Sequence, residues 1–322
     1  MDPEQFFTAS GVIIVAGKGG VGKTAVTAAL AVAASRAGLR TLVVEVEGKG
    51  GLASMFGSDV LHFDGTCLVP GTDTRGQVDA RTITPDEALL EYLRAHGMQR
   101  ISNRLVSSGA LELISTAVPG IRDILVLGAV KSLERSGEFD LILLDAPAAG
   151  HAISFLRSAT GLADAVKVGP INAQANEVLG LLEDPARCRV MLVTSPEETP
   201  VNELIQTAYS LEEEVGVALG PVVVNGVVAE LSGLDADPEQ AAESAGVRLL
   251  DGEADLLRDA AAFRRSRMEL QQRQLDRMAS ELPLPQLQLP YVVTSQLDRD
   301  HLGLLADALL ARIAELPEVA TT

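Results

Sequence analysis

The sequence predicts a doubly wound, mostly parallel α/β sheet. Two observations carry that prediction. Short β-branched, apolar runs alternate with helical stretches along the chain, and the first of these runs opens directly into a glycine-rich turn with a helical segment behind it. A third observation is permissive: the chain has 322 residues, of which 47% are hydrophobic and 22% charged, enough to bury a large core. Aromatic residues make up 3% and tryptophan is absent, so that core is expected to consist of Val, Leu, Ile and Ala.

Taken in order, strands are expected at 12–15, 41–46, 141–144, 190–194, 222–225 and 291–294. Most of these runs are apolar throughout, as strands covered by helices on both faces must be. Helices are expected at 25–37, 200–215 and 299–314. Residues 84–135 have helical apolar spacing punctuated by Gly97, Gly109 and Pro119-Gly120, and they read as a helical insertion between the second core strand and the strand ending at Asp145. Residues 253–282 are charged and Gln-rich, with Leu275, Met278 and Leu282 on one helical face. Their arginines alternate with acids, which marks a solvated face of an additional helical segment. No internal repeat is present, so 1–322 reads as a single domain.

The formal net charge is −18. That argues against a nucleic-acid surface, which needs clustered Lys and Arg. Cys67 and Cys188 lie far apart with no C-x-x-C pair, so neither a disulfide framework nor a zinc site is expected. The opening Met-Asp-Pro-Glu-Gln has neither the basic start nor the apolar core of a secretion signal. The most apolar uncharged stretch, 215–229, is interrupted by Gly220-Pro221 and Asn225 and is too short to span a bilayer. These features predict a soluble, cytoplasmic protein with no nucleic-acid partner and no stable membrane insertion.

The most informative segment is Ala16-Gly-Lys-Gly-Gly-Val-Gly-Lys-Thr24, directly after Gly11-Val-Ile-Ile-Val15. It fits the phosphate-binding pattern G-x-x-x-x-G-K-[ST] at Gly17, Gly22, Lys23 and Thr24. A polyphosphate needs several N–H donors converging on one point, and glycines let the backbone curl tightly enough to supply them. Gly17, Lys18, Gly19, Gly20, Val21, Gly22, Lys23, Thr24 and Ala25 are therefore the candidate phosphate cradle. The following helix adds its N-terminal amides and dipole. Lys23 is placed to reach the β- and γ-phosphates, and the Thr24 hydroxyl to ligate Mg²⁺. The fold is thus a P-loop NTPase sheet with one nucleotide site.

Hydrolysis also needs carboxylates near the metal and the attacking water. Phe139-Asp-Leu-Ile-Leu-Leu-Asp145 is an apolar strand ending in an acid, followed by Ala146-Pro-Ala-Ala-Gly150-His151. Asp145 is the candidate for Mg²⁺, and the segment behind it suits a switch loop that senses the γ-phosphate. The strand Thr41-Leu-Val-Val-Glu-Val-Glu47, followed by Gly48-Lys-Gly-Gly51, offers a choice between Glu45 and Glu47. Glu47, at the strand's end, is preferred for orienting water. His151 reads as a structural or switch contact.

Together, the Lys18-bearing loop, the second-strand acid and the Asp145-to-His151 segment resemble the arsenite-pump and tail-anchored-protein-targeting (ArsA-like) ATPase family. The likeness is to its actinobacterial-type branch, within the deviant Walker-A class that includes the MinD and ParA ATPases and the nitrogenase iron protein. Ser115-Thr-Ala-Val-Pro119-Gly-Ile121 resembles the family's proline-glycine motif. Val193-Thr-Ser-Pro-Glu197, followed by Thr199-Pro-Val and Glu203, resembles another family segment. Val222-Val-Val-Asn225 resembles the strand whose asparagine recognises adenine. The resemblance implies ATP and Mg²⁺ as cofactors, with Lys18, Lys23, Glu47 and Asp145 serving catalysis and Asn225 contacting adenine. It also implies a homodimer, or a heterodimer with a paralogous subunit, in which Lys18 of one subunit reaches the phosphates held by the other. A protein cargo fits the same resemblance.

The departures are specific. Glu47-Gly48 stands where the family has Asp-Pro, and Pro147 is one position earlier than in the D-x-A-P-x-G-H spelling. The interfacial C-x-x-C is absent, the six methionines are scattered, and two cysteines are too few for a three-thiolate arsenite site. The expected function is Mg²⁺-dependent ATP hydrolysis coupled to a conformational switch. The alternatives are a MinD/ParA-type positioning ATPase and a weakly hydrolysing ATP-binding partner subunit.

Overall fold

The computed structural model describes residues 1–46, 51–95, 97–100, 102–103 and 120–318. Glu47 to Gly50, and Ser115 to Pro119 of the proline-glycine motif, lie outside the described residues. The elements run α1 (Pro3–Thr8), β1 (Val12–Gly17), α2 (Lys23–Arg36), β2 (Thr41–Val46), α3 (Gly51–Met55), β3 (Thr66–Val69), β4 (Val78–Ile83) and α4 (Pro85–Ala95). Then follow α5 (Ile121–Ser136), β5 (Leu141–Ala148), α6 (Ala149–Ala165), α7 (Pro170–Leu182), β6 (Cys188–Thr194) and α8 (Glu198–Glu214). The chain ends with β7 (Val222–Val227), α9 (Pro238–Ser244), α10 (Glu253–Glu281), β8 (Gln286–Pro290) and α11 (Arg299–Ala314).

The strands form one sheet in the order β3-β4-β2-β5-β1-β6-β7-β8. Every neighbouring pair is parallel except β3 and β4. Central strands are apolar on both faces, and their alternate residues enter different cores. Val12, Ile14 and Ala16 of β1 pack under α4 to α8 and α10, whereas Ile13 and Val15 pack under α1, α2, α3 and α11. That is the doubly wound arrangement the sequence predicts. From β1 the chain first winds toward β2 and later, after β5, toward β6. The reversal places a topological switch point at the C-terminal ends of β1 and its neighbours, where open α/β sheets bind ligands.

The expectation of a strand at 291–294 is overturned. The last strand is Gln286–Pro290, paired in parallel with β7 through Val222–Gln286, Val223–Leu287 and Val224–Gln288. Its pattern is alternating, with Leu287 and Leu289 buried and the glutamines half-buried, as at a sheet edge. The more β-prone Tyr-Val-Val-Thr that follows stands outside the sheet, with Tyr291 and Val293 exposed. Strands β3 and β4 were not expected at all. Asp79 and Arg81 interrupt the apolar run of β4, so a search for continuous hydrophobicity passes over it.

Within 84–135 the described helices α4 and α5 pack against one another, and both bury apolar residues in the core on one sheet face. Among the described residues no helix is long and apolar enough to cross a membrane.

The two thiols sit in opposite environments. Cys188, in the central strand β6, is wholly buried, and desolvation pushes its pKa up to about 12. Cys67 on β3 is exposed, its pKa raised first by desolvation and then by neighbouring Asp79. Because only the thiolate attacks a disulfide reagent, burial should decide the outcome. Ellman's reagent at pH 8 is expected to label one thiol in the native chain and the second only in denaturant. Two fast-reacting thiols in the folded protein would contradict the packing around β6.

Candidate nucleotide site

The site begins where β1 runs out of space. An added Cβ on Gly17 would lie 2.2 Å from the backbone carbonyl oxygen of Val193 on adjacent β6. Only glycine lets the chain pass here and turn. At the loop's other end Gly22 adopts φ +88°, in the left-handed region, and caps α2. A Cβ there would meet the Asn225 Nδ2 at 2.3 Å. The Asn225 amide itself donates to the Val21 carbonyl at 3.0 Å, tying β7 to the loop.

Helix α2 starts at Lys23 directly below β1. Its residues from Ala25 to Leu30 are buried without exception, so its N-terminus is held rigidly against the sheet. The first amides of a helix have no intrahelical partner, and here they face the cavity bounded by the loop. Lys23 Nζ donates to the Lys18 carbonyl at 3.1 Å, so its charge arches back over the glycines. Lys18 turns outward and forms an ion pair with Glu203 on α8. Both partners of that pair are partly exposed.

The Thr24 hydroxyl donates to Asp145 Oδ2 at 2.7 Å. Strand register accounts for this meeting, because Asp145 on β5 stands beside Val15 on β1 and beside Glu45 on β2. Glu45 and Asp145 are both buried, so two carboxylates flank the foot of the loop. A cavity of about 440 Å³ opens here, lined by Gly22, Lys23, Thr24, Glu45 and Asp145. Gly20, Ala25 and Met55 also line a larger cavity of about 780 Å³, whose far wall includes Asn225, Arg267, Gln274 and Tyr291. A polar, cation-bearing compartment therefore adjoins a roomier, more apolar one. That division suits a phosphate chain joined to a base.

Gly17 to Ala25, Asp145 and Asn225, expected from the sequence to act together, are thus brought to one end of the sheet. Glu47 lies outside the described residues. Glu45, the alternative set aside in its favour, is in the cavity wall. His151 falls in α6, directly after the strand that carries Asp145. The sequence reading missed the contribution of α10. Gln271 accepts from the Val228 amide at 2.9 Å and donates to the Val228 carbonyl at 3.0 Å, closing the end of β7 as another strand residue would. Arg267 holds its guanidinium 5.9 Å from the Tyr291 ring centroid at the rim. Both residues sit in a stretch whose charge pattern reads as plain solvated helix, and only the adjoining Leu275 and Met278 mark the buried side.

Known proteins resemble this chain in sequence. A family model described as anion-transporting ATPase matches residues 10–169. The ATPase BagA of Mycobacterium tuberculosis is 34% identical over 302 residues, covering 87% of this chain and 86% of its own length. The arsenical pump-driving ATPase of Acidiphilium multivorum is 26% identical over 248 residues, covering 71% of this chain and 40% of its own. The ATPase get3 of Schizosaccharomyces japonicus is 29% identical over 176 residues, 52% of each chain. With its phosphate loop, the neighbouring acids Glu45 and Asp145 on β2 and β5, and coverage of a 34%-identical relative, the chain belongs to the anion-transporting (ArsA-like) ATPase family and is an ATPase.

Proposed function

We propose that the protein hydrolyses Mg²⁺-bound ATP as one of a pair of subunits and uses the cycle to switch conformation in the cytoplasm. The observation that carries this reading is the Thr24–Asp145 hydrogen bond at the foot of the loop. A hydroxyl and a carboxylate are the hard oxygen donors Mg²⁺ prefers, and the ion commonly takes its remaining ligands from phosphates and water. When bound, the ion neutralises charge on the phosphates. The chain's own residues supply the rest. Amides of Gly19 to Thr24 hold the phosphate oxygens, Lys23 neutralises the β/γ end, and Asn225 faces the base. Glu47 orients the attacking water, and Lys18 acts on the phosphates of a second subunit, either another copy or a paralogue. A protein cargo is the load this cycle would move.

ATP turnover tests the chemistry. Lys23→Ala and Asp145→Asn are each expected to lower Mg²⁺-dependent turnover by about 10²-fold or more, the scale of losing one charge-stabilising group in such a site. No turnover above background in the native chain would remove the catalytic claim. Lys18→Ala is expected to lose turnover as well, and full activity in that variant would end the in-trans role. Glu47→Gln should reduce turnover more than Glu45→Gln, and the reverse order would transfer the water-orienting role to Glu45.

Gly22→Ala tests the loop geometry separately. The added methyl has to displace the Asn225 amide, and residue 22 has to keep a left-handed backbone that alanine adopts poorly. Affinity for a fluorescent ADP analogue is expected to fall at least tenfold, about 1.4 kcal/mol, with unchanged circular dichroism. Native affinity in this variant would show that the loop does not need its Asn225 contact to hold nucleotide.

A further inference from the structure

Asp145 has a carboxylate neighbour that the proposed cycle leaves without a task. Glu45 on β2 stands directly beside Asp145 on β5 in the parallel register. Both side chains take the sheet face that carries α2. Val43 and Leu143, two residues earlier on each strand, pack in the core under α1, α2, α3 and α11. Glu45 is 3% exposed, yet it lines the phosphate compartment together with Lys23, Thr24 and Asp145. Because it sits within a strand, its carboxylate is held in position by the sheet.

The charge of this compartment is the second observation. Among the described residues that line it, Lys23 is formally positive, and Glu45 and Asp145 are formally negative. One cation against two buried carboxylates makes a wall that opposes a bare polyphosphate, and burial limits the screening of that repulsion. A divalent ion reverses the sign, since a bound cation is often the largest charge in such a site. Mg²⁺ also keeps several of its waters when it binds through carboxylates and phosphates. Those waters need acceptors on the protein side, and a carboxylate one strand away from Asp145 can supply them.

We propose that Glu45 is a positioning residue for hydrated Mg²⁺ and makes nucleotide binding depend on the metal. It accepts from water ligands of the ion, which Thr24 and Asp145 hold directly. The assignment rests on the Mg²⁺-ATP reading above and adds to it a residue and a measurable property. It is also separate from orienting the attacking water. ADP has no γ-phosphate to be attacked, so a group that serves only that water leaves ADP affinity alone.

Calorimetric titration of the full chain with ADP, in Mg²⁺ and in EDTA at one ionic strength, tests the assignment. In the native chain Mg²⁺ is expected to tighten ADP by about tenfold or more, within the usual range of coupling between two ligands. Glu45→Gln keeps the shape of the side chain and removes its charge. It is expected to cut that factor by about threefold or more, and to do so by binding metal-free ADP more tightly than the native chain. Damage to the fold does not tighten binding, so this direction separates the role from a structural one. Glu45→Asp, which keeps the charge, is expected to retain most of the factor. Coupling is reciprocal, so electron paramagnetic resonance of Mn²⁺ should show the same change from the metal's side. An unchanged factor in Glu45→Gln, or ADP weakened equally with and without Mg²⁺, would overturn the assignment and leave the Mg²⁺-ATP reading standing. A native chain that binds ADP equally well in Mg²⁺ and in EDTA would overturn the metal's part in both. A native chain that binds no ADP would remove the nucleotide reading itself.

Discussion

The nucleotide end of the molecule depends on two positions that have no room for a side chain. At Gly17 the backbone of β1 passes so close to β6 that a Cβ would sit 2.2 Å from the Val193 carbonyl. The strand must therefore end and the loop begin at that point. At Gly22 the left-handed turn against Asn225 fixes where the loop ends and where α2 takes over. With both ends set, Thr24 falls on the first turn of a buried helix, at a height decided by the sheet. The parallel register of β5 against β1 then delivers Asp145 to the same height. The Thr24–Asp145 contact follows from these two constraints and needs no further device.

Support on the far side of the loop comes from less regular structure. Asn225 donates into the loop at Val21, and two residues later β7 ends. The strand end is closed by the Gln271 amide, which pairs both backbone groups of Val228 from α10. A buried side-chain amide that satisfies one donor and one acceptor is a stable substitute for a neighbouring strand. It also makes α10 part of the nucleotide site. The same helix forms the cavity wall with one segment and meets solvent with the other.

How much of this could be read in advance divides along physical lines. The apolar central strands, the phosphate loop and Asp145 were legible because each needs a continuous stretch of one residue type: buried strands need unbroken apolar runs, and a phosphate cradle needs glycines at fixed spacing. Strand β4 was not, because a strand near the edge of the sheet tolerates Asp79 and Arg81. The last strand was displaced by five residues for a related reason. Gln286-Leu-Gln-Leu-Pro290 buries only alternate residues, while the β-branched run behind it has high strand propensity but leaves the ladder once the Tyr291 amide has bonded the Val227 carbonyl at 2.8 Å. Gln271 and Arg267 were invisible in sequence, since their roles depend on which end of α10 meets β7. Periodicity reports a helix's buried face and does not report its partner.

Lys18 is the residue on which the proposed pairing of subunits bears most directly. Within its own chain the lysine does not rest on the phosphate loop it belongs to; it pairs with Glu203 on α8. Both groups are roughly a third exposed, and exposed pairs of this kind contribute about 0–1 kcal/mol. In the proposed pair, that is too little to retain the lysine against a polyphosphate, whose concentrated negative charge would attract it more strongly. A lysine held this loosely, and directed away from its own loop, is free to be redirected when another subunit's phosphates come within reach. Lys23 differs in kind, because its bond to the Lys18 carbonyl keeps it folded over its own loop. The two lysines of one nine-residue motif are thus separated by what holds them: one is built into its own site, and the other rests on a weak surface pair, as the proposed in-trans role requires.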